Sequence, residues 1–398
     1  MNKIRKSMSY GSALLTAALL VFIHFMWSGV AQGGSPESWL GLPVTYVENG
    51  YTFHPWPAQA LRDVKIHTPD PILIAKAWVT PDWSAWITGG KTNRVRVEAD
   101  EIVARPSSLT RLGTFDGKST HKITAVRFAK LKLLMGSTAV VLPAGEMEFG
   151  EDGTMTHLRV ATEQGMRFDV TPHEGKLAVL VQLTSWKWDV LSALRFDSVV
   201  AQGDVNDDRL LLDKIGGTGD GGSVEGLVRL TVTDKFTVDG EVKLDKLDVV
   251  ETFKRLYPGH TVQGTLNANV KIAASADSLA ALGTNMTASG TYSLRSGSID
   301  RFGLLEGLRR QDSGPAGGGL TKFVSLDGGF SGGVGKPSAV SIRRLDGGAL
   351  QGSGSFQIGL ESQLRGNVAA SIKLPNGDSK SRALVLTGKV NAPTLMVP

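Results

Sequence analysis

A beat of two residues recurs along the second half of this chain. Val224, Gly226, Val228, Leu230 and Val232 fall on one side of an extended backbone, and Glu225, Arg229, Thr231 and Thr233 on the other. Phe236, Val238, Gly240, Val242 and Leu244 oppose Thr237, Asp239, Glu241 and Lys243 in the same way. Val262, Gly264, Leu266, Ala268, Val270 and Ile272 repeat the pattern, followed by Leu350, Gly352, Gly354, Phe356 and Ile358, then Leu364, Gly366, Val368, Ala370 and Ile372. Side chains of an extended chain alternate with period two, so each stretch reads as a strand with one apolar and one wet face.

A run of such faces has to be covered by another sheet, by helices or by an apolar ligand. Two architectures meet that demand. One is a packed β-sandwich or barrel core. The other is an elongated, curved antiparallel sheet whose apolar face is left open as a groove, with glycines on that face allowing curvature and close approach. The groove candidates are Val224, Val228, Leu230, Val232, Phe236, Val238 and Val242, then Leu266, Val270, Ile272, Phe356, Ile358, Val368 and Ile372.

The first half carries the same signal in residues 93–104, 121–134 and 165–172. Helical stretches are few: residues 185–196, 246–257, 277–282 and 300–310, the second with Leu247, Val250, Phe253 and Tyr257 on one face. Residues 311–319, "QDSGPAGGG", read as a flexible loop. With 41% apolar and 20% charged residues the balance is globular rather than disordered. The 48 glycines gather in the second half at intervals suited to turns between many strands.

Several short motifs imitate chemistry. Gly217, Gly219 and Gly222 have dinucleotide-loop spacing, but the residues after them alternate as a strand, whereas a phosphate-binding loop opens a helix. The run therefore reads as a flexible turn between two strands. Ser331 in "GFSGG" matches a hydrolase nucleophile elbow, yet that motif needs a helix after the serine, and Pro337 with renewed alternation argues for a turn and a strand. Asp204, Asn206 and Asp208 resemble the start of a calcium loop, but Arg209 and Ile215 stand where glycine and glutamate are required, which leaves a hairpin turn. The seven histidines form no metal-ligand pair, and without cysteine there is no thiolate site or disulfide. Asn285 to Thr287 is a formal glycosylation sequon. Trp56, Trp78, Trp83 and Trp86 read either as ordinary core or as an interfacial belt. No catalytic residue, cofactor site or metal site is assigned.

The N-terminus bears on location. Lys3, Arg5 and Lys6 supply much of the net charge of +5, so the remainder is too balanced for a nucleic-acid-binding face. Residues 11–31 carry no formal charge, and at ~1.5 Å per residue they reach ~30 Å, the thickness of a bilayer's hydrocarbon core. The organisation reads as a basic cytoplasmic segment at 1–10, a transmembrane anchor at 11–31, and β-rich parts at 32–200 and 201–398 beyond the membrane. Gly29 and Ala31 leave cleavage as a signal peptide open.

Together these stretches resemble the AsmA-like family of membrane-anchored bacterial envelope proteins. "FHPWPAQALRDVKIHTPDPILIAKAWVTPDWSAWITG" and "RVRVEADEIVARPSS" resemble its opening strands. "LRFDSVVAQGDVNDDRLLLDKIGGTGDGGSVEGLVRLTVTDKFTVDGEVKLDKLDV" follows its hairpin rhythm, and "ASGTYSLRSGSIDRFGLLEGL", "TKFVSLDGGFSGG" and "LDGGALQGSGSFQIGLESQLRGNVAASIKL" are similar to its closing strands. The resemblance implies a repeating-β-groove fold, an inner-membrane anchor with the bulk of the chain in the periplasm, and a non-enzymatic part in lipid transport, outer-membrane assembly or envelope homeostasis. Its implied partners are phospholipid or another envelope lipid, the inner membrane and other envelope proteins. The alternative is a structural or secretion-system accessory, similar to the N component of type II secretion, that acts through protein contacts.

Overall fold

The computed structural model describes residues 38–39, 41–52, 58–82, 94–112, 122–162, 165–187, 195–256, 261–316 and 318–398. The protein is mainly β, with few and short helices. The chain forms two compact units, the first holding most residues up to Leu134 together with Ala139–Val160 and Thr171–Leu177, the second holding Ala178–Pro398 with two short earlier segments.

In the first unit β1 (Ser38–Trp39) pairs with β2 (Leu42–Thr45), and β2 and β3 (Glu48–Thr52) lie along β4 (Ala58–Ile66). β5 (Ile72–Pro81) and β6 (Arg94–Ala104) continue the antiparallel ladder. Then the expected uniform antiparallel order breaks. A short α1 (Pro106–Leu109), with proline at its start, follows β6, and the chain returns as β7 (Lys122–Met135) parallel to β6. The connection is long enough to cross over, which a tight hairpin is not. Val95, Val97, Ile102, Ile123, Phe128 and Leu131 are buried. After β8 (Thr138–Leu142), β9 (Gly145–Phe149) pairs with both β7 and β10 (Met155–Ala161). β11 (Met166–His173) and β12 (Lys176–Lys187), the greater part of each in the second unit, flank a two-residue turn, Glu174 and Gly175, both at positive φ.

The second unit is a ladder of neighbours in sequence. β13 (Arg195–Val205), β14 (Arg209–Gly219), β15 (Gly222–Val232), β16 (Phe236–Asp248), β17 (Val262–Ala276) and β18 (Thr287–Ile299) pair in turn, all antiparallel. Three helices interrupt the connections: α2 (Val249–Leu256), α3 (Leu279–Asn285) and α4 (Leu304–Arg309). Past α4 lies the two-residue β19 (Gly314–Pro315). β18 then pairs with β20 (Thr321–Gly333), followed by β21 (Lys336–Gly347), β22 (Leu350–Ile358), β23 (Leu364–Lys373), β24 (Ser379–Lys389) and β25 (Ala392–Val397).

Several expectations change. The glycine run at 214–226 is strand on both sides of a two-residue turn, Asp220 at φ 44 and Gly221 at φ 75. Both residues sit in the left-handed region that a tight hairpin needs, so the expected turn between the two strands is there but shortened to two residues, the remaining glycines being strand. Ser331 lies within β20, paired with Ser289 and Ala339, and not in a turn. Residues 185–187 and 195–196 are strand, against the helix expected over 185–196, whose middle lies outside the described residues. Leu247 closes β16 instead of opening α2. The 311–319 loop holds β19, which pairs with Val397 and Met396 and covers the edge of β25. The 204–209 segment is the expected hairpin, closed by Asn206 Oδ1 accepting from the amides of Asp208 and Arg209 at 3.2 and 2.8 Å. Among the described residues no helix is long and apolar enough to cross a membrane, and the expected anchor at 11–31 lies outside them.

Candidate functional site: an apolar face with a filled end and a bare middle

The register of the second unit lines its apolar residues up in rows across the strands. One row runs Ile215, Gly226, Val242, Val270, Gly290, Phe330, Val340. It continues to Phe356, Gly366 and Leu386. Beside it run Leu212, Val228, Gly240, Ile272 and Ala288. Neither row holds a charged or hydrogen-bonding side chain. On the opposite face cross-strand ion pairs replace them, such as Lys271 with Glu241 at 3.3 Å and Arg295 with Asp327 at 3.2 Å.

Three strands keep their apolar face across an interruption of the alternation. In Leu212-Asp213-Lys214-Ile215, Leu244-Asp245-Lys246-Leu247 and Ile342-Arg343-Arg344-Leu345 a β-bulge sets two charged residues against one residue of the next strand. The bulge absorbs the extra residue, so the aliphatic residues on both sides of it stay on one face.

Glycines on the apolar face are matched with aromatic rings on the neighbouring strand. Gly290 pairs with Phe330, Gly297 with Phe323, Gly328 with Tyr292 and Gly366 with Phe356. A Cβ at Gly328 would lie 2.6 Å from the Tyr292 ring, and one at Gly297 2.6 Å from that of Phe323. The rings of Tyr292 and Phe323 therefore lie over glycine backbone, where only a missing side chain leaves room. Tyr292 also donates to the Ser341 carbonyl at 3.2 Å, and burial pushes its hydroxyl pKa up to about 12.

The rows differ in what covers them. At the C-terminal end α4 packs on β23, β24 and β25, and Leu304, Leu308, Val368, Leu384 and Leu386 form a cluster at no more than 1% exposure. The helix is fixed in place: the Thr321 hydroxyl accepts from the Leu304 amide at 3.2 Å and donates to the Phe302 carbonyl, and the Arg382 side chain donates to the Arg310 carbonyl. Gly307 permits the approach, since a Cβ there would sit 2.9 Å from Leu384. Near the other ends of the strands α3 and α2 close the face, the first with Leu282 and the second with Val249, and Asp220 holds α2 through Thr252 at 2.8 Å and Arg255 at 2.5 Å. Between these closures Val228, Val242, Val270 and Ile272 are half-buried.

Of the groove candidates, Val228, Leu230, Val238, Val242, Val270 and Ile272 are half-buried on this stretch, while Leu266 is half-buried against the buried cluster. Val224, Val232, Phe236 and Val368 are instead buried, at 6, 0, 2 and 1%, and belong to closed packing. Phe356, Ile358 and Ile372 are half-buried against the cluster under α4. Ile215, Gly290, Phe330 and Val340 were missed, although the pairing of Gly290 with Phe330 marks two of them. Two concavities, of about 750 and 470 Å³, have side chains mostly from the polar face, among them Arg343, Gln351 and Ser371 in one and Glu241, Lys243 and Asn269 in the other, and the second also borders Gly226, Val242, Val270 and Gly290 of the row. Trp78 is half-buried in β5, while Trp56, Trp83 and Trp86 lie outside the described residues. Among the described residues no cluster of side chains could hold a metal ion. No protein-family profile, curated protein or solved structure matches this chain.

Proposed function

We propose that this protein is a non-enzymatic envelope protein that takes up lipid acyl chains along the apolar face of its second unit. Residues 11–31 anchor it in the inner membrane and the remainder lies in the periplasm. The observation that carries the reading is the half-buried stretch from Ile215 to Val340, a row without one polar side chain. Every strand from β14 to β24 apart from the short β19 is hydrogen-bonded on both sides. The face thus offers no main-chain group to an added peptide strand, while hydrocarbon asks for none. At ~0.8 kcal/mol per buried CH₂, a chain of about sixteen carbons gains on the order of 13 kcal/mol gross, much of it offset by ordering. The resemblance to the AsmA-like family supports the same reading, with phospholipid transport or outer-membrane assembly as the process served.

Protein purified without detergent is expected to carry bound phospholipid in native mass spectrometry. A persistently ligand-free protein would overturn the reading and favour the structural or secretion-accessory alternative, which the filled packing under α4 suits. For the anchor the measurement is the mass of the mature protein, and a chain starting at Gln32 would refute it.

A further inference from the structure

The two concavities of the second unit differ in charge. The smaller has Glu225, Glu241, Lys243 and Lys271 in its wall, two acids against two bases. The larger, of about 750 Å³, is lined by Arg343, Arg344, Gln351, Ser353, Ser371 and Ser381 among others, and its wall holds no acid. The sequence around them divides in the same way. Residues 195–299 carry eleven basic and fourteen acidic side chains, and residues 336–398 carry eight and three.

Local structure accounts for the larger concavity. The β-bulge in β21 sets Arg343 and Arg344 together against Ser353 of β22. In register beyond Ser353 come the short Ala369 and Ala383, and beside them run Gln351, Ser371 and Ser381. Two long guanidinium side chains thus stand at the edge of a floor made mostly of serine and alanine. The nearby acids are already matched: Asp346 binds Arg344 at 2.7 Å, and Asp327, across from Arg344 on β20, binds Arg295 at 3.2 Å. Among the described residues Arg343 meets only a neutral acceptor, the Gly328 carbonyl at 3.2 Å. Its charge is the one left over.

We propose that this concavity binds a phosphate ester, with Arg343 as the principal ligand of the phosphate. A guanidinium presents a planar fork of donors that matches two phosphate oxygens at once. The remaining oxygens of a tetrahedral phosphate are then free for the hydroxyls of Ser353, Ser371 and Ser381 and the amide of Gln351, whereas a planar carboxylate is used up by the fork alone. The volume falls within the roughly 300–1,000 Å³ of small-ligand sites, which takes a group the size of glycerol phosphate or a sugar phosphate. A soluble ester and a lipid headgroup share this chemistry. The proposal concerns the polar face and does not rest on the acyl-chain reading of the apolar one.

The test is arginine modification of the full chain by phenylglyoxal, followed residue by residue through peptide mass spectrometry. Glycerol 3-phosphate and dihexanoyl phosphatidylglycerol, the latter below its micelle concentration, serve as competitors. Arg365, exposed on the same face and without a carboxylate partner among the described residues, is the internal control. The expected result is modification of Arg343 slowed at least fivefold while Arg365 reacts as before. Protection by glycerol 3-phosphate assigns a soluble ester, and protection by the lipid alone assigns a headgroup. Ser353→Glu, which puts an acid on the exposed floor opposite the arginines, should abolish the protection. No protection by either competitor, equal protection of Arg365, or full protection in Ser353→Glu would overturn the site. The first two readouts use the unaltered protein, so misfolding cannot obscure them, and co-purifying phospholipid tests the acyl-chain reading separately.

Discussion

Val242 and Val270 face the same side of the same ladder as Val368 and Leu384, in strands of equally regular alternation. The first two are half-buried and the last two are 1% and 0% exposed. The contrast lies outside the strands themselves. A six-residue helix inserted between β18 and β20 returns over β23 to β25, and the buried cluster it joins runs back across β21, β20, β18 and β17 through Ile342, Leu326, Leu294 and Val262 to Val249 of α2, leaving Val242 and Val270 beside it. Alternation decides which side chains share a face, and what comes to rest on that face is decided by residues far away in sequence.

The hardest test of this contrast is a charge placed at equivalent positions. Val368→Asp puts a carboxylate into packing with no partner, which costs several kcal/mol, and the protein is expected to unfold or be depleted. Val228→Asp and Val270→Asp place the same group where water reaches it, so the cost should stay within about 2 kcal/mol. Both should accumulate normally and lose co-purifying lipid. Thermal midpoint, abundance and bound lipid measured for all three decide it. Equal destabilisation at positions 270 and 368 would erase the distinction between open and filled face, and stable, fully loaded Asp variants would remove positions 228 and 270 from the groove.

Truncation to alanine asks the question more gently. Leu308 is 0% exposed under the sheet, and Leu308→Ala is expected to cost about 2–5 kcal/mol through lost burial and the cavity left behind. Val242→Ala removes less surface from a site already half open, and about 1 kcal/mol or less is expected in denaturant unfolding. A reversal of that order would mean that the middle row, not the helix, is the mechanical centre of the unit.

How far this was legible in the sequence can be judged at the same residues. Five strands of the second unit were, β15, β16, β17, β22 and β23, because period two runs through most of each. The bulges were not, since Leu244-Asp245-Lys246-Leu247 looks like the end of a strand and the start of a helix until the pairing of Leu247 with Leu266 is known. The return of β7 parallel to β6 was hidden for a similar reason: alternation carries no direction. The glycine run misled because glycine serves turns and strands alike, and here most of it lies flat where a neighbour's main chain leaves no room for a Cβ, as at Gly217 and Gly226. The candidate residues were named from the face alone, so buried Val232 and Phe236 entered beside half-buried Val238.

Tyr292 stands on the border between the two regions, its ring over Gly328 and its hydroxyl on the Ser341 carbonyl. Tyr292→Phe should cost about 1 kcal/mol near neutral pH, the net worth of one such hydrogen bond. Its pH dependence is more telling. Burial raises the folded-state pKa from the ordinary 10 to about 12, so between these values the folded state keeps a proton that the unfolded state has released. Stability from this group is complete below pH 10 and falls as pH rises toward 12. The loss should be present in the wild type and missing from Tyr292→Phe, seen as a narrowing gap in thermal midpoint above about pH 10. A constant gap would place the ring in water and move the border of the filled region.

The smallest expected effect comes from neighbours in sequence on opposite faces. Phe330 points into the middle row and Ser331 points away from it, exposed between Ser289 and Ala339. Because Ser331 sits mid-strand, with strand and not helix after it, its hydroxyl has none of the strand-to-helix geometry of a nucleophile elbow. Ser331→Ala is therefore expected to change stability by no more than about 0.5 kcal/mol and to leave lipid binding and function intact. Phe330→Ala, one residue away, should keep the protein folded but reduce bound lipid, because Phe330, in register with Gly290, belongs to the apolar row. Measuring bound phospholipid and in vivo function side by side for the two variants separates the faces at a distance of one residue. A large functional loss in Ser331→Ala at unchanged abundance would assign chemistry or a partner to the polar face, and equal lipid loading in both would remove Phe330 from the trough.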